Sequence, residues 1–125
     1  MPSPRYRLEF YADPAGVQPV REWLRSELTA EDRRTVGAAL FAILQEQGIG
    51  VCGSSFGRQL GADLFEFRLR EAGLLIRIFC HAYGERVILL LGGYDKGSDP
   101  SERRQNREIA QARGRLEEWQ QRQRS

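Results

Sequence analysis

Apolar and polar residues alternate over residues 5–11, with Tyr6, Leu8 and Phe10 on one side and Arg7 and Glu9 on the other. A period of two predicts a half-buried strand. Asp13-Pro14-Ala15-Gly16 breaks it. Beyond that turn Val20, Trp23, Leu24 and Leu28 recur at helical spacing. Thr29-Ala30-Glu31-Asp32 is close to a capping box, with Thr29 accepting from the amides that open a second helix. Val36, Leu40, Ile43 and Leu44 form that helix's apolar stripe, and Gly48 is placed to end it. Residues 49–62, with Gly50, Gly53, Gly57 and Gly61, are expected to form a loop. Strands follow at residues 64–70, 74–81 and 86–94. Asp99 as N-cap and Pro100 at the first helical position open a last helix, with Ile109, Ala112, Leu116 and Trp119 as its apolar stripe. The expected order is βααβββα, an α+β domain spanning residues 1–125.

Register gives the sheet two faces. With Glu71-Ala72 as a two-residue turn, Phe67 pairs with Ile76 and Phe65 with Ile78, keeping one face apolar. A second hairpin turning at Tyr83-Gly84 pairs Arg77 with Leu90 and His81 with Arg86. Phe65, Phe67, Leu69, Ile76, Ile78 and Leu89 are then expected under the two N-terminal helices. Glu66, Arg68, Arg77, Phe79 and Tyr94 share the other face, with Glu66 opposite Arg77 and Lys96 just beyond. Residues 87–91 are apolar on both faces, as a central strand should be. The N-terminal strand is its expected parallel neighbour through a helical crossover.

Composition narrows the class. With 41% hydrophobic and 29% charged residues the chain is an ordinary folded protein. The run at 87–91 is too short to span a membrane, and no secretory leader is visible at Met1, so a cytoplasmic location is expected. Cys52 and Cys80 are expected as reduced thiols. One histidine, His81, and no CxxC or HxxxH spacing argue against a structural zinc site, and no motif calls for a cofactor. No P-loop or dinucleotide fingerprint is present. Among the 19 basic residues Lys96 is the only lysine. Arginine's planar fork suits phosphate or carboxylate, which makes nucleic acid or an acidic protein a plausible partner; a genomic preference for arginine gives the same composition.

The segments now resemble a known family. Leu64-Phe65-Glu66-Phe67-Arg68 is similar to the "L-[WY]-E-L-R" strand of RelE/HigB-type toxins, in particular the phage-related HigB-like branch. Ile76-Arg77-Ile78-Phe79 resembles its "[YF]-R-[IV]-[LF]" strand, and the stretch from Leu89 to Lys96 its "LLHGFxKK" strand end. Pro100, Glu108-Ile109, Ala112 and Arg115-Leu116 resemble its C-terminal "TPxxEIxxAxxRL" helix. The resemblance implies a RelE-like fold and ribosome-dependent mRNA cleavage. It also implies neutralisation by a co-expressed antitoxin, often of helix-turn-helix type, with ribosome and mRNA as the other partners. Arg68 and Arg77 match the family's strand basic residues, and Lys96 the basic position after the last strand. The chain departs from the pattern at Gly92, where the family has histidine, and at Gly97, where a second lysine is common. Its last helix has no tyrosine. Related ParE-like proteins poison DNA gyrase by contact and cut nothing, and an inactive phage-derived member is a third possibility.

Arg77, Arg68 and Lys96 are the candidate catalytic residues, because RNA cleavage needs cations around the charge developing on phosphorus. The alternative for Arg77 is an exposed cross-strand ion pair with Glu66 worth at most about 1 kcal/mol. Tyr94, Arg70, Arg103, Arg104 and Arg107 are the candidate RNA-binding residues. Tyr94 either stacks on a base or packs under the last helix. The helix arginines either grip RNA backbone or form a solvated face with Arg104–Glu108 as an i,i+4 pair. His81 has a suitable pKa range for a general base but is expected beside a solvated turn, on the order of 13 Å from Arg77 along the strand.

Overall fold

A computed structural model describes residues 5–124. Strand β1 (Arg7–Phe10) leads into α1 (Pro19–Ser26) and α2 (Ala30–Ala39). A wider helical turn at Leu40–Leu44 and a short α3 (Gln45–Gln47) continue α2, and a 3₁₀ segment covers Gly48–Gly53. Strands β2 (Gly57–Gly61), β3 (Leu64–Glu71), β4 (Leu74–Tyr83) and β5 (Val87–Asp95) follow, then α4 (Glu102–Arg124). The sheet order is β1-β5-β4-β3-β2, with β1 parallel to β5 and the other pairs antiparallel. The α+β architecture and the parallel N-terminal strand are as expected; the 87–91 run lies in an interior strand, second in the sheet, with β4 at the centre. The expected loop at 49–62 is only partly one. Its end forms β2, the fifth strand.

Local chemistry sets the helix ends. Thr29 caps α2, its hydroxyl accepting from Asp32 N at 3.1 Å. Arg33 reaches back from α2 and donates to the carbonyls of Leu24 (3.0 Å) and Leu28 (3.4 Å), satisfying oxygens at the end of α1. Gly48, at φ 54°, ends α3 where a Cβ would sit 2.5 Å from the Tyr6 ring. The cap of α4 falls two residues later than expected. Ser101 Oγ accepts from Arg104 N at 3.1 Å, while Asp99 accepts from Ser101 N at 3.2 Å, so Asp99 orders the cap rather than forming it.

Two apolar layers sandwich the sheet. Val20, Trp23, Leu24, Val36, Leu40 and Leu44 from the N-terminal helices pack on Phe65, Phe67, Leu69, Ile76, Ile78, Ile88 and Leu90. Residues Ala30–Gly53 are long and apolar enough, by length and composition alone, to cross a membrane. Val36, Ala39, Leu40, Leu44 and Val51 within that stretch lie buried in this core, which accounts for their apolar character. Ala112, Leu116 and Trp119 of α4 cover Leu64, Phe79, Leu89, Leu91, Tyr94 and Tyr11 on the opposite face. That face is therefore half roofed by α4.

Both hairpin registers differ from expectation. The β3–β4 turn is Ala72-Gly73, with Glu71 paired to Leu74 and positive φ at both turn residues (52° and 83°). That geometry is a primed two-residue turn. Phe67 consequently pairs with Ile78, Phe65 with Cys80 and Arg68 with Arg77, while Glu66 faces Phe79 rather than Arg77. A shift of two residues leaves every side chain on its expected face. In the β4–β5 hairpin Tyr83 pairs with Val87 across Gly84-Glu85-Arg86, so His81 lies opposite Leu89 and Arg77 opposite Tyr94. A bulge between Phe79 and Cys80 opposes Leu90 and Gly92 to consecutive residues, leaving Leu91 extra. The three-residue turn shifts the pairing by an odd number, which places Leu89 under α4 instead of under the N-terminal helices, and the bulge then restores the alternation so that Tyr94 still turns towards Arg77.

The far end of α4 is tied to the N-terminal strand. Tyr11 donates its phenol proton to Glu118, and Arg122 bridges Glu118 and the Ala12 carbonyl. Burial first, then the Glu118 hydrogen bond and charge, push the Tyr11 pKa up to about 12. The folded protein thus keeps a proton that the unfolded chain releases near pH 10, so this contribution is intact below pH 10 and lost as pH rises towards 12. Urea unfolding of Tyr11→Phe should show a shallower loss of stability than wild type between those pH values. Parallel profiles would contradict the assignment.

Candidate functional site

Glu66 is the centre of the site. Its position on β3 is wholly buried, 0% exposed, between β2 and β4. Three guanidiniums converge on its carboxylate: Arg68 Nε at 2.8 Å, Arg58 Nε at 3.6 Å and Arg77 Nε at 3.8 Å. Only the Arg68 contact has hydrogen-bond length. Arg68 and Arg77 lie directly opposite one another across β3 and β4, a placement that repels like charges. Glu66, on the same face one pleat away, offsets that repulsion.

Arg77 is 12% exposed and donates from Nη1 to the Ile76 carbonyl at 3.2 Å. Burial pushes its pKa below the ordinary guanidinium value, with Glu66 opposing the shift and Arg68 adding to it. The group remains charged throughout the neutral range. Tyr94, 1% exposed, stacks on Phe79 with 6.2 Å between ring centroids, and the Arg104 guanidinium covers its ring at 5.1 Å. Burial first, then the Glu66 charge, raises its phenol pKa, so it stays a hydrogen-bond donor. Glu66 Oε1, Arg77 Nε and Tyr94 Oη are all buried without a hydrogen-bond partner. Such burial costs about 1–3 kcal/mol per group. Costs of this kind concentrate at functional sites in otherwise consistent folds.

Beside this cluster lies a cavity of about 460 Å³ lined by Ser55, Phe56, Arg68, Arg70 and Arg77. Its volume suits a small organic ligand or part of a polymer. Four arginines with one carboxylate between them make the region an attractive place for an anion. Arg70 is exposed at the cavity wall and makes no ion pair among the described residues. Arg70→Gln should leave unfolding free energy within about 0.5 kcal/mol of wild type. With a single-stranded nucleic acid as the anionic probe, the salt slope of any binding should be smaller by about 0.7 if Arg70 contacts one phosphate. An unchanged slope would place Arg70 outside the binding surface.

The other expected residues are distributed around this centre. Lys96 is half-buried in the turn after β5, its amide donating to Leu75 O at 2.7 Å, and Leu75 lies opposite Arg70. Arg104 is held by Glu108 at 2.9 Å, the expected i,i+4 pair, and by Asp99 at 3.9 Å. Arg103 and Arg107 are exposed on the first turns of α4. His81 is not at a solvated turn. It is 8% exposed, its Nδ1 donates to Asp63 O at 2.7 Å, and its ring meets Tyr83 and Trp119. It is a core histidine remote from the cavity lining. Gly92, where a histidine fits the resembled pattern, faces α4. A Cβ there would lie 3.2 Å from Arg115 Nη1, which donates to Leu91 O at 2.8 Å. An α4 arginine thus occupies the space over position 92.

Arg58 escapes sequence reading because β2 falls within the expected loop, and Ser55 and Phe56 because they lie in the turn just before that strand. A five-residue edge strand with glycine at both ends and no β-branched residue gives little strand signal. The useful clue was Arg58-Gln59-Leu60 between glycines, a polar-to-apolar step able to pair with the charged side of β3.

An open five-stranded sheet with helices on both faces and a buried arginine–glutamate cluster beside a basic cavity defines a small anion-facing α+β protein. The chain belongs to the phage-derived protein Gp49-like (DUF891) family, a RelE/toxin-like family whose model matches residues 22–117. That match runs from α1 through most of α4 and includes every residue lining the cavity. No curated protein matches the chain.

Proposed function

We propose that this protein is the toxin of a toxin–antitoxin pair, a ribosome-dependent mRNA endonuclease of the HigB-like branch. In this reading a cognate helix-turn-helix antitoxin neutralises it in the cytoplasm. The observation that carries the reading is the buried Glu66 carboxylate gathering Arg58, Arg68 and Arg77 beside a cavity. Family membership supports it.

RNA cleavage by the 2′-hydroxyl forms a bond from that oxygen to phosphorus, its proton passing to water, and breaks the bond to the 5′-oxygen, which takes a proton from water as it leaves. It leaves a 2′,3′-cyclic phosphate and a 5′-hydroxyl. Extra negative charge develops on the phosphorane, and preorganised cations there can contribute more than proton transfer does. Arg77 and Arg68 supply those cations from neighbouring strands, and Arg70 adds a contact to the neighbouring backbone. Glu66 lies behind the arginines and acts through them as a positioning residue. Lys96 adds charge at the strand ends, and Arg103 and Arg107 offer sequence-independent contacts to ribosomal RNA.

A contact poison of DNA gyrase is the second reading. It is favoured by the cavity lining, which contains no histidine, while His81 is committed to the core. Induced expression separates the readings. The first predicts growth arrest with cut transcripts on translating ribosomes. Arrest with DNA damage and intact transcripts would replace it with the second, and harmless expression of folded protein would contradict both.

A further inference from the structure

We propose that Phe56 is the platform on which a nucleobase stacks, so that the cavity takes one nucleotide, base and phosphate together, rather than a bare phosphate. The inference rests on the RNA-binding reading of the same cavity. Tyr94, the aromatic residue nearest Arg77 along the strands, cannot serve: its ring is buried, stacked on Phe79 and covered by Arg104. Phe56 is the aromatic residue that lines the cavity, alongside Arg68, Arg70 and Arg77. It is half-buried and packs against the main apolar core, which anchors it without burying it completely.

The backbone holds this residue against the charged cluster. Phe56 O accepts from Arg68 N at 2.8 Å, so platform and phosphate-facing arginine are joined by a main-chain bond. Phe56 N donates to Ser54 Oγ at 3.1 Å, and Ser54 Oγ in turn donates to Val51 O at 2.9 Å. Gly57 then lets the chain pass Val51 closely, since a Cβ there would be 2.6 Å from the Val51 side chain. A ring held in this way needs little ordering when a base arrives. Base–aromatic stacking tolerates any base, because each presents a π-face. The volume of about 460 Å³ also exceeds what a tetrahedral oxyanion fills.

The test measures binding at low salt of a short single-stranded RNA and of an abasic strand of the same length. Wild type, Phe56→Leu, Phe56→Trp and Arg77→Gln are compared, with thermal melting confirming that each is folded. Wild type should prefer the base-bearing strand by about tenfold, the scale of one stacked base. Phe56→Leu should bind both strands at the abasic level, and Phe56→Trp should restore the preference. Equal wild-type affinity for the two strands, or a preference surviving in Phe56→Leu, overturns the proposal. If Arg77→Gln weakens both strands in that case, the phosphate reading stands without it. Wild type binding neither strand, or Arg77→Gln changing neither affinity, overturns the RNA reading and the Phe56 proposal together.

Discussion

Glu66→Gln is expected to lower the unfolding free energy by about 3 kcal/mol and the melting temperature on the order of 10 °C. The cause is the fate of the arginines. Removing one partner of a buried ion pair costs about 3–5 kcal/mol, because the remaining charge is left uncompensated. Arg77, only 12% exposed, bears that cost most directly, and Arg68 would then face it across the strands with no carboxylate between them. Arg58 and Arg68, with side chains 45% and 33% exposed, recover part of their hydration, which holds the estimate at the low end. Urea unfolding checks this. A loss below about 1 kcal/mol would mean that the cluster merely decorates the sheet.

Arg77→Gln should have the opposite balance: a large effect on activity and a smaller one on stability. Glu66 keeps its 2.8 Å bond from Arg68 when Arg77 is removed, so no carboxylate is stranded. In the proposed cleavage reaction the charge facing the scissile phosphate falls, and loss of one preorganised donor costs about 10²- to 10³-fold in rate. Arg77→Lys should recover only part of the loss, since an ammonium keeps the charge but not the planar fork. Single-turnover cleavage on ribosomes, alongside urea unfolding of both variants, measures this. Stability loss in Arg77→Gln exceeding that in Glu66→Gln would contradict the assigned roles.

Much of this arrangement was legible in the sequence because side-chain alternation survives an even register error. Pairing across Ala72-Gly73 rather than Glu71-Ala72 moved every partner of β3 by two residues, yet Glu66, Arg68 and Arg77 stayed on one face. The positive φ of Ala72 concealed the turn, since alanine gives no hint of that conformation. Leu89 falls on the opposite face from the expected one because three residues rather than two join β4 to β5, and an odd shift reverses the alternation until the bulge restores it. The exposed Glu66–Arg77 pair expected from β3 and β4 alone is a wholly buried carboxylate, because β2 pairs beside it and the Arg58, Arg68 and Arg77 side chains converge on it. Burial of a charge is a tertiary property, and the element contributing to it here is a glycine-bounded edge strand that carries little strand signal in the sequence. His81 shows the same limit: its partners Asp63 and Trp119 come from other elements.

The central claim is that the arginines held by Glu66 act on an RNA phosphate. Its most direct test is mapping of mRNA ends on purified translating ribosomes treated with wild type or with folded Arg77→Gln. The account predicts new 5′-hydroxyl ends with wild type and at least about a hundredfold fewer with the variant. Intact mRNA with wild type, or equal cutting by the two proteins, would contradict it.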